Sequence, residues 1–117
     1  MSHAVPLWND ASDLPLALEP VDPSQVMGGH PCTGDVSWDQ PDGTSWGVWE
    51  MTPGVMRDVE HNEMCVIIKG EGVLTRVIDG ISTAQILRPG IVLNLRVGEE
   101  TQWDVTSALR KVYRLEV

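Results

Sequence analysis

The chain has 117 residues, of which 8 are Lys or Arg and 17 are Asp or Glu, so its formal net charge is −9. A chain of this length is typical of one domain. The acidity excludes nucleic acid as a partner, because binding to phosphates requires a basic surface, and it disfavours an anionic membrane surface. All eight bases lie at or after Arg57, so residues 1–56, with eight acids and no base, carry about −8 and the remainder about −1.

Neither a secretion signal nor a membrane span is predicted. Residues 1–10 lack the basic and apolar regions of a signal peptide. The longest apolar runs, such as residues 66–68, are far shorter than the ~20 residues that cross a bilayer. We therefore expect a soluble, cytoplasmic protein in which Cys32 and Cys65 remain reduced thiols, and no CxxC pattern indicates a zinc or redox site.

The first third of the chain is rich in proline. Six of the eight prolines occur before position 42, which argues against long helices or central strands in this part of the chain. We expect residues 1–34 to form an extended acidic arm, in which residues 5–7 and 16–18 could pair with a sheet edge; a floppy tail is the alternative. The apolar side chains expected to dock this arm are Leu7, Trp8, Leu14, Leu16, Leu18 and Met27.

From residue 35 onward, the sequence predicts a series of short β-strands. Two strands, around residues 36–38 and 46–48, flank a Pro-Asp-Gly turn at 41–43, and a second turn follows at 52–54. Further strands are predicted at 63–69, 73–78, 81–87, 91–95, 103–106 and 111–117. The turns between them contain Gly or Pro, and Asp-Gly at 79–80 is a strong hairpin signal.

Seven or eight strands with turns roughly every ten residues predict an antiparallel β-sandwich or β-barrel. No stretch of twelve residues shows a convincing helical period. We therefore predict an all-β fold, with a barrel domain formed by residues 35–117.

Several of these segments together resemble the small single-domain cupins. They are Gly-Val-Trp-Glu-Met-Thr-Pro-Gly at 47–54, Glu-Met-Cys-Val-Ile-Ile-Lys-Gly at 63–70, Arg-Pro-Gly at 88–90, Thr-Gln-Trp-Asp-Val at 101–105 and Arg-Lys-Val-Tyr at 110–113. The series is similar to the branch that contains the cupin domain of ureidoglycine aminohydrolase and the ethanolamine-utilisation cupins. The resemblance implies an RmlC-like jelly-roll barrel (a double-stranded β-helix), usually a homodimer, with a pocket inside the barrel mouth.

Most of the histidines that bind metal in cupins are missing from this sequence. The glutamate of the first cupin motif is matched by Glu63, seven residues before Gly70, and the histidine position of the second motif is occupied by Thr101. Depending on the registration, the histidine pair is replaced by Arg57 and Val59, by Met56 and Asp58, or by Glu60 and Asn62. A carboxylate and a hydroxyl alone would bind a divalent metal weakly, so we expect no cofactor. A divalent metal at His61 and Glu63 is the weaker alternative.

Glu63 is the leading candidate for chemistry. Side chains alternate along a strand, so Glu63 and Cys65 share one face, which the resemblance places inside the barrel. A buried carboxylate must be paired, hydrogen-bonded or protonated. It could act as a general acid or base or bind a cationic or amide group of a ligand. Alternatively, it is a strand-end residue paired with a base at the rim.

Lys111 and Tyr113 share one face of the last predicted strand, and a lysine inside a small barrel would pair with a carboxylate such as Glu63 or Glu50. Glu63, Lys111 and Tyr113 are therefore the candidate catalytic residues, since together they could transfer a proton to or from a small substrate. The same trio could equally be a structural network that closes the barrel.

Trp103 and Thr101 are expected to share an inward face, because they are two residues apart on a strand. Trp103 and Trp49 could form a pocket wall that stacks on a planar or cationic ligand, or they could be ordinary core residues. The complete predicted pocket is Trp49, Arg57, Glu63, Cys65, Thr101, Trp103, Lys111 and Tyr113.

Three functions fit these residues. The favoured function is metal-free binding of a small polar ligand, of carboxylate or amide type, inside the barrel of a homodimer. The second is an enzyme that acts on a small amide or amine by acid–base chemistry, as the resemblance to ureidoglycine aminohydrolase suggests. The third is a structural dimer module whose pocket is filled by its own side chains.

Overall fold

The computed structural model of the protein describes residues 9–116, which form nine β-strands and no helix. The strands are β1 (Glu19–Pro20), β2 (Val26–Gly29), β3 (Cys32–Asp39), β4 (Ser45–Met51), β5 (Gly54–Val59), β6 (Glu63–Ile78), β7 (Ile81–Leu87), β8 (Val92–Leu95) and β9 (Glu100–Leu115). No helix in this part of the chain is long and apolar enough to cross a membrane. The all-β prediction is confirmed.

Two long strands, β6 and β9, run side by side through both halves of the barrel. The first half of β6 pairs with β8 and with the second half of β9. The other edge of this half of β9 pairs with β4, β4 pairs with β3, and β3 pairs with β1. The second half of β6 pairs with β7 and with the first half of β9, whose other edge pairs with β5 and then β2. Every pairing is antiparallel, and the two halves together form a jelly-roll barrel.

The structure corrects two predicted strand breaks. Residues 63–69 and 73–78 form one strand, β6, and residues 103–106 and 111–115 belong to one strand, β9. The register between β6 and β9 shifts between Ile67 and Gly72, and such bulges bend a strand without ending it. At this bend Gly70 has φ +88°, and a Cβ there would collide with the backbone oxygen of Ala108. The glycines that suggested a turn therefore allow the strand to turn a corner.

A strand that the sequence did not predict, β5, supplies one wall of the barrel mouth. Residues 58–60 look like a loop in the sequence because they are acidic, but β5 continues to Val59 and pairs with β9 over its whole length. Alternation along β5 turns Met56 and Asp58 inward and Arg57 and Val59 outward.

The core fills the barrel below its mouth. The largest fully buried side chains are Trp103, Met51, Ile67, Leu74, Leu87, Leu93, Leu95, Leu109 and Pro31. At the mouth, by contrast, polar side chains are buried, among them Glu60, Glu63 and Lys111. Since buried polar groups are costly unless they are partnered, these three residues mark the part of the barrel where packing alone does not explain the sequence.

The N-terminal segment lies against the barrel, and part of it joins the sheet. β1 pairs with β3 and β2 pairs with β5. The buried Arg110 guanidinium donates hydrogen bonds to the backbone oxygens of Ala11 and Leu14, both at 2.8 Å, and to Glu50 at 2.9 Å. Where the segment crosses β3, the backbone oxygen of Ala17 lies so close to Gly34 that no Cβ would fit.

The apolar side chains predicted to dock this segment behave differently from one another. Leu14 and Leu16 are half-buried, whereas Leu18 is 38% exposed and Met27 is 55% exposed. Leu7 and Trp8, and the edge pairing considered for residues 5–7, lie outside the described residues. The pairing considered for residues 16–18 is formed instead by residues 19–20 and 26–29.

Candidate ligand-binding site

A cavity of about 320 Å³ opens at the mouth of the barrel, between residues of β3, β4, β5, β6 and β9. This volume corresponds to about ten water molecules, so the cavity suits a small molecule. The polar and aromatic residues that line it are Asp35, Trp49, Asp58, Glu60, His61, Glu63, Trp103, Lys111 and Tyr113.

Three larger depressions are also formed by the described residues. One, of about 580 Å³, is a groove on the outer face around Arg57 and Gln102. A second, of about 530 Å³, runs along the N-terminal segment and shares Asp35, Trp49 and Asp58 with the mouth cavity. A third, also of about 530 Å³, lies within residues 20–32. We take the mouth cavity as the candidate site because it is the one into which the buried charged side chains of the barrel converge.

The centre of the site is an ion pair between Lys111 and Glu63. Lys111 Nζ donates to Glu63 Oε2 at 2.7 Å, and the two side chains are 6% and 11% exposed. The ammonium also lies 4.7 Å from the ring centroid of Trp49 and 4.8 Å from that of Trp103, within range of a cation–π interaction. The two indole rings are 5.4 Å apart and tilted by 54°. The structure thus brings four of the predicted site residues into contact.

Tyr113 forms a second polar contact at the mouth. Its hydroxyl donates to Asp35 Oδ2 at 2.7 Å. Burial, aided by this hydrogen bond, raises the pKa of Tyr113 well above its ordinary value, so the phenol stays protonated and remains a donor. Its ring lies against Gly47, where a Cβ would collide with it.

Glu60 is a buried carboxylate that forms no ion pair with any described residue. It is 6% exposed, and its Oε2 accepts hydrogen bonds from the Thr101 hydroxyl at 2.5 Å and the Trp103 indole N–H at 3.1 Å. Burial raises the pKa of Glu60, and this effect exceeds the opposing effects of the Thr101 hydrogen bond and the Lys111 charge. Among the described residues, no Lys, Arg or His lies within ion-pair distance of Glu60.

Asp58 lies beside Glu60 and is half-buried. Its Oδ1 accepts the backbone N–H of Val59 at 2.8 Å, and burial raises the pKa of its carboxyl. Carboxyl groups with raised pKa values in a cavity are typical of functional sites.

Three predicted pocket residues do not line the cavity. Arg57 points outward, since it occupies the outer face of β5, and donates to the backbone oxygen of Ser24 at 3.0 and 3.3 Å. Cys65 lies below the cavity floor, 4% exposed, and burial raises the pKa of its thiol to about 12, which makes it unreactive. Thr101 contacts Glu60, to which its hydroxyl donates a hydrogen bond. His61, considered as a metal ligand, is exposed at the rim.

Sequence reasoning did not identify Asp35, Asp58 and Glu60 as site residues. A signal for two of them was present, because Asp58 and Glu60 are among the positions onto which the cupin histidine pair falls. The alternation of Met56, Asp58 and Glu60 would have placed both carboxylates on one face, had the segment been interpreted as a strand. Asp35 carries no such signal.

The residues at the mouth do not fit a metal centre of the kind that cupins hold. Within residues 9–116, no three His, Cys, Asp or Glu side chains are grouped so that they could hold a metal ion. Glu63 is already bound by Lys111 and Glu60 by two neutral donors. No step of the function proposed below uses a metal.

Comparison with known proteins identifies the family. Residues 39–113 match the family described as the EutQ-like cupin domain. Among solved structures, the EutQ protein of Clostridium difficile is similar (TM-score 0.58, 16% identity, covering 82% of this chain and 74% of that chain). So is a putative ethanolamine utilization protein Q from Salmonella typhimurium (0.59, 16%, 86% and 94%). A protein of unknown function from Pseudomonas syringae pv. tomato superposes with a TM-score of 0.69 at 24% identity, over 92% of this chain and 46% of that chain.

These comparisons confirm the predicted resemblance to small cupins and the jelly-roll fold. No match was found among curated proteins, and the identities to solved structures are low, so these likenesses concern the fold alone. The family match covers more than half of the sequence, from the end of β3 to Tyr113 in β9. The chain therefore belongs to the EutQ-like cupin domain family.

Proposed function

We propose that this chain binds a small polar molecule in the mouth cavity without a tightly held metal. The observation that carries the proposal is the position of Lys111, a buried ammonium that lines the cavity between Trp49 and Trp103. An ammonium has three N–H donors, and Glu63 accepts one of them. The others are available to a carbonyl or carboxylate oxygen of a ligand.

The surrounding residues define the character of that ligand. The faces of Trp49 and Trp103 provide apolar walls on which a planar group can stack. Glu63 fixes the position of Lys111. Because four carboxylates line the cavity, a free carboxylate would meet more repulsion than a neutral carbonyl. An amide-type acceptor therefore suits the site better than a carboxylate.

A binding measurement with a neutral amide tests this proposal. We expect glycolamide to perturb the tryptophan fluorescence of the wild type, and Glu63→Gln to abolish the effect because Lys111 loses its fixed position. Glu71→Gln, at an exposed position of the same strand, is the matched control. Near-UV circular dichroism reports whether Glu63→Gln still folds; loss of the fold would favour a purely structural role. A wild type that responds to no amide, amine or carboxylate probe would contradict the proposal.

Acid–base catalysis on a small amide or amine is a second candidate function. It is supported by the raised pKa of Asp58, because a carboxyl whose pKa lies closer to neutrality is a better general acid or base. Release of ammonia from amide substrates, lost in Asp58→Asn, would support it. Release at an equal rate by Asp58→Asn would contradict a role for this residue.

We also propose that the chain forms a homodimer through the outer face of β4, β9, β6 and β8. Trp46 is 46% exposed, Met64 40% and Val92 61%, and with Val66 and Val112 they line an apolar groove of about 300 Å³. Contiguous exposed apolar surface of this kind marks interaction sites. A second copy of the chain would bury it.

A further inference from the structure

The charges in the mouth cavity do not balance. Four carboxylates line it, those of Asp35, Asp58, Glu60 and Glu63, against one ammonium, that of Lys111. With His61 neutral, the formal sum is four negative charges and one positive charge, or −3. Lys111 is paired with Glu63, so the three excess negative charges are those of Asp35, Asp58 and Glu60. Asp35 accepts a hydrogen bond from Tyr113 and is exposed to solvent, so the enclosed part of the excess lies on the other two.

Glu60 offers one oxygen atom to the contents of the cavity. Both of its side-chain hydrogen bonds end on Oε2, and no described residue donates to Oε1. No fully buried side-chain oxygen or nitrogen in the described residues lacks a hydrogen-bond partner. Oε1 must therefore be the accessible atom of this otherwise buried side chain, and the cavity that Glu60 lines is the one at the barrel mouth.

The position of Glu60 is fixed by the backbone as well as by its side chain. Its N–H donates to the oxygen of Glu99, and its own oxygen accepts the N–H of Gly98, each at 2.9 Å. The carboxylate therefore starts from a fixed backbone position, and it cannot turn away without breaking its hydrogen bonds from Thr101 and Trp103. A buried carboxylate that is not directly paired with a cation is costly, and among the described residues Glu60 is such a carboxylate, close to a second one, that of Asp58.

We propose that the ligand is a small organic cation with N–H donors, such as a primary amine, whose charged group binds Glu60 Oε1 and Asp58. This inference rests on the proposed function. The other end of the ligand presents an oxygen acceptor to Lys111. The two binding groups of the site are thus of opposite charge. Trp49 and Trp103 reinforce the preference for a cation, because the faces of indole rings attract positive charge.

A matched pair of probes tests this inference. Glycinamide and glycolamide have the same size and the same amide, but an ammonium in the first is replaced by a hydroxyl in the second. Titration calorimetry is performed at a pH where the amine is protonated. We expect glycinamide to bind wild type about 30-fold more tightly or better, the change in affinity expected when one partner of a buried charge pair is lost.

The variant Glu60→Gln tests whether the preference for glycinamide depends on the charge of Glu60. In Glu60→Gln the side-chain oxygen can still accept from Thr101 and Trp103, while the charge is removed. We expect this variant to bind glycinamide about as weakly as glycolamide, with glycolamide binding unchanged. Glu100→Gln is the control, because Glu100 lines the groove outside the barrel and its substitution should alter neither titration.

Four results would overturn the inference. Equal binding of the two probes by wild type would show that the ammonium is not recognised. An equal loss of both probes in Glu60→Gln would show that Glu60 only shapes the cavity. Binding of acetate in preference to glycinamide would replace a cationic ligand by an anionic one and leave the proposed function standing. If no probe of any class binds, the proposed function fails together with the inference.

Discussion

Lys111 provides the positive charge that offsets the carboxylates of the cavity. Among the described residues that line the mouth, it is the one lysine or arginine, and four carboxylates line the same cavity. Glu63, by contrast, is one carboxylate of four. Removing the lysine leaves every carboxylate uncompensated, whereas removing Glu63 leaves an ammonium that still has acidic neighbours and two indole faces.

The first prediction follows from this asymmetry. Lys111→Met should lower the free energy of unfolding by about 3–5 kcal/mol, the cost of breaking a buried ion pair. Glu63→Gln should cost less, about 1–3 kcal/mol, because the amide oxygen can still accept from Lys111 and only the charge of the acceptor is lost. Urea unfolding of both variants measures the difference. A larger loss in Glu63→Gln than in Lys111→Met would contradict the prediction.

The second prediction concerns pH. Burial raises the pKa of Glu60 above its ordinary value of 4.5. For a raised pKa, the contribution to stability is fully present below the unfolded-state value and is lost as pH rises through the folded-state value. Residue 60 does not titrate in Glu60→Gln. As pH rises above 4.5, the free energy of unfolding of the wild type should therefore fall relative to that of the variant.

Urea unfolding of wild type and Glu60→Gln at a series of pH values between 4.5 and neutrality measures this difference. Other groups, such as Glu99, whose pKa is lowered by its hydrogen bond from Arg76, titrate in both proteins and cancel. A difference between the two proteins that does not change with pH would contradict the prediction.

At the scale of elements, the bend of β6 decides how the barrel closes. Inward positions are Glu63, Cys65 and Ile67 before the bend but Gly72 and Leu74 after it. A shift of one residue moves side chains to the opposite face, so the bulge between these segments keeps both halves of the strand facing the core.

The third prediction tests the bend. Gly70→Ala must place a Cβ against the backbone oxygen of Ala108 in a left-handed conformation. Gly80 has a similar φ of +78°, but nothing lies within 4 Å of a Cβ there. We expect Gly80→Ala to cost about 1–2 kcal/mol, the cost of the left-handed backbone alone, and Gly70→Ala to cost more by about 1–3 kcal/mol of steric strain. Equal unfolding free energies for the two variants would contradict a steric role for the bend.

Prediction of the elements succeeded where the residue pattern and the local structure agree. The hairpin at Asp79-Gly80 is a tight turn with both residues at positive φ, as an Asp-Gly pair favours. Prediction failed at β5. A half-buried strand ordinarily turns apolar side chains inward, whereas the end of β5 turns an acidic side chain toward the barrel. The strand is nevertheless stable because β9 supplies hydrogen bonds along its whole length. The two carboxylates that complete the site lie at its end and just beyond it.

At the scale of the molecule, the N-terminal segment and the outer faces of the barrel determine how it meets other molecules. The segment is held through Arg110 and through the pairing of β1 and β2. Deleting residues 1–34 would also remove these strands and the start of β3. Substitution on the exposed face is therefore a more selective test of association than truncation.

The fourth prediction is that the proposed homodimer becomes a monomer in Val92→Glu. The substitution places a charge in the apolar groove lined by Trp46, Met64 and Val92, where burial of an unpaired charge is unfavourable. Val97→Glu, at a position that is 67% exposed outside the groove, is the control. Sedimentation velocity over a range of concentrations measures the effect. A wild type that is monomeric throughout would contradict the dimer.

The sequence by itself determined the all-β class, the positions of most turns, the family resemblance and the pairing of Lys111 with a glutamate. These properties depend on local conformational preference, on side-chain alternation and on motif residues, all of which are visible along the chain. Only the tertiary structure decided the sign of the net charge of the cavity lining. The −9 charge of the chain did not reveal which carboxylates line the cavity. The buried Glu60, the half-buried Asp58 and the exposed Asp35 come together only where the strands meet at the barrel mouth. Charge that is screened on a surface becomes a binding preference once it is enclosed beside two indole rings.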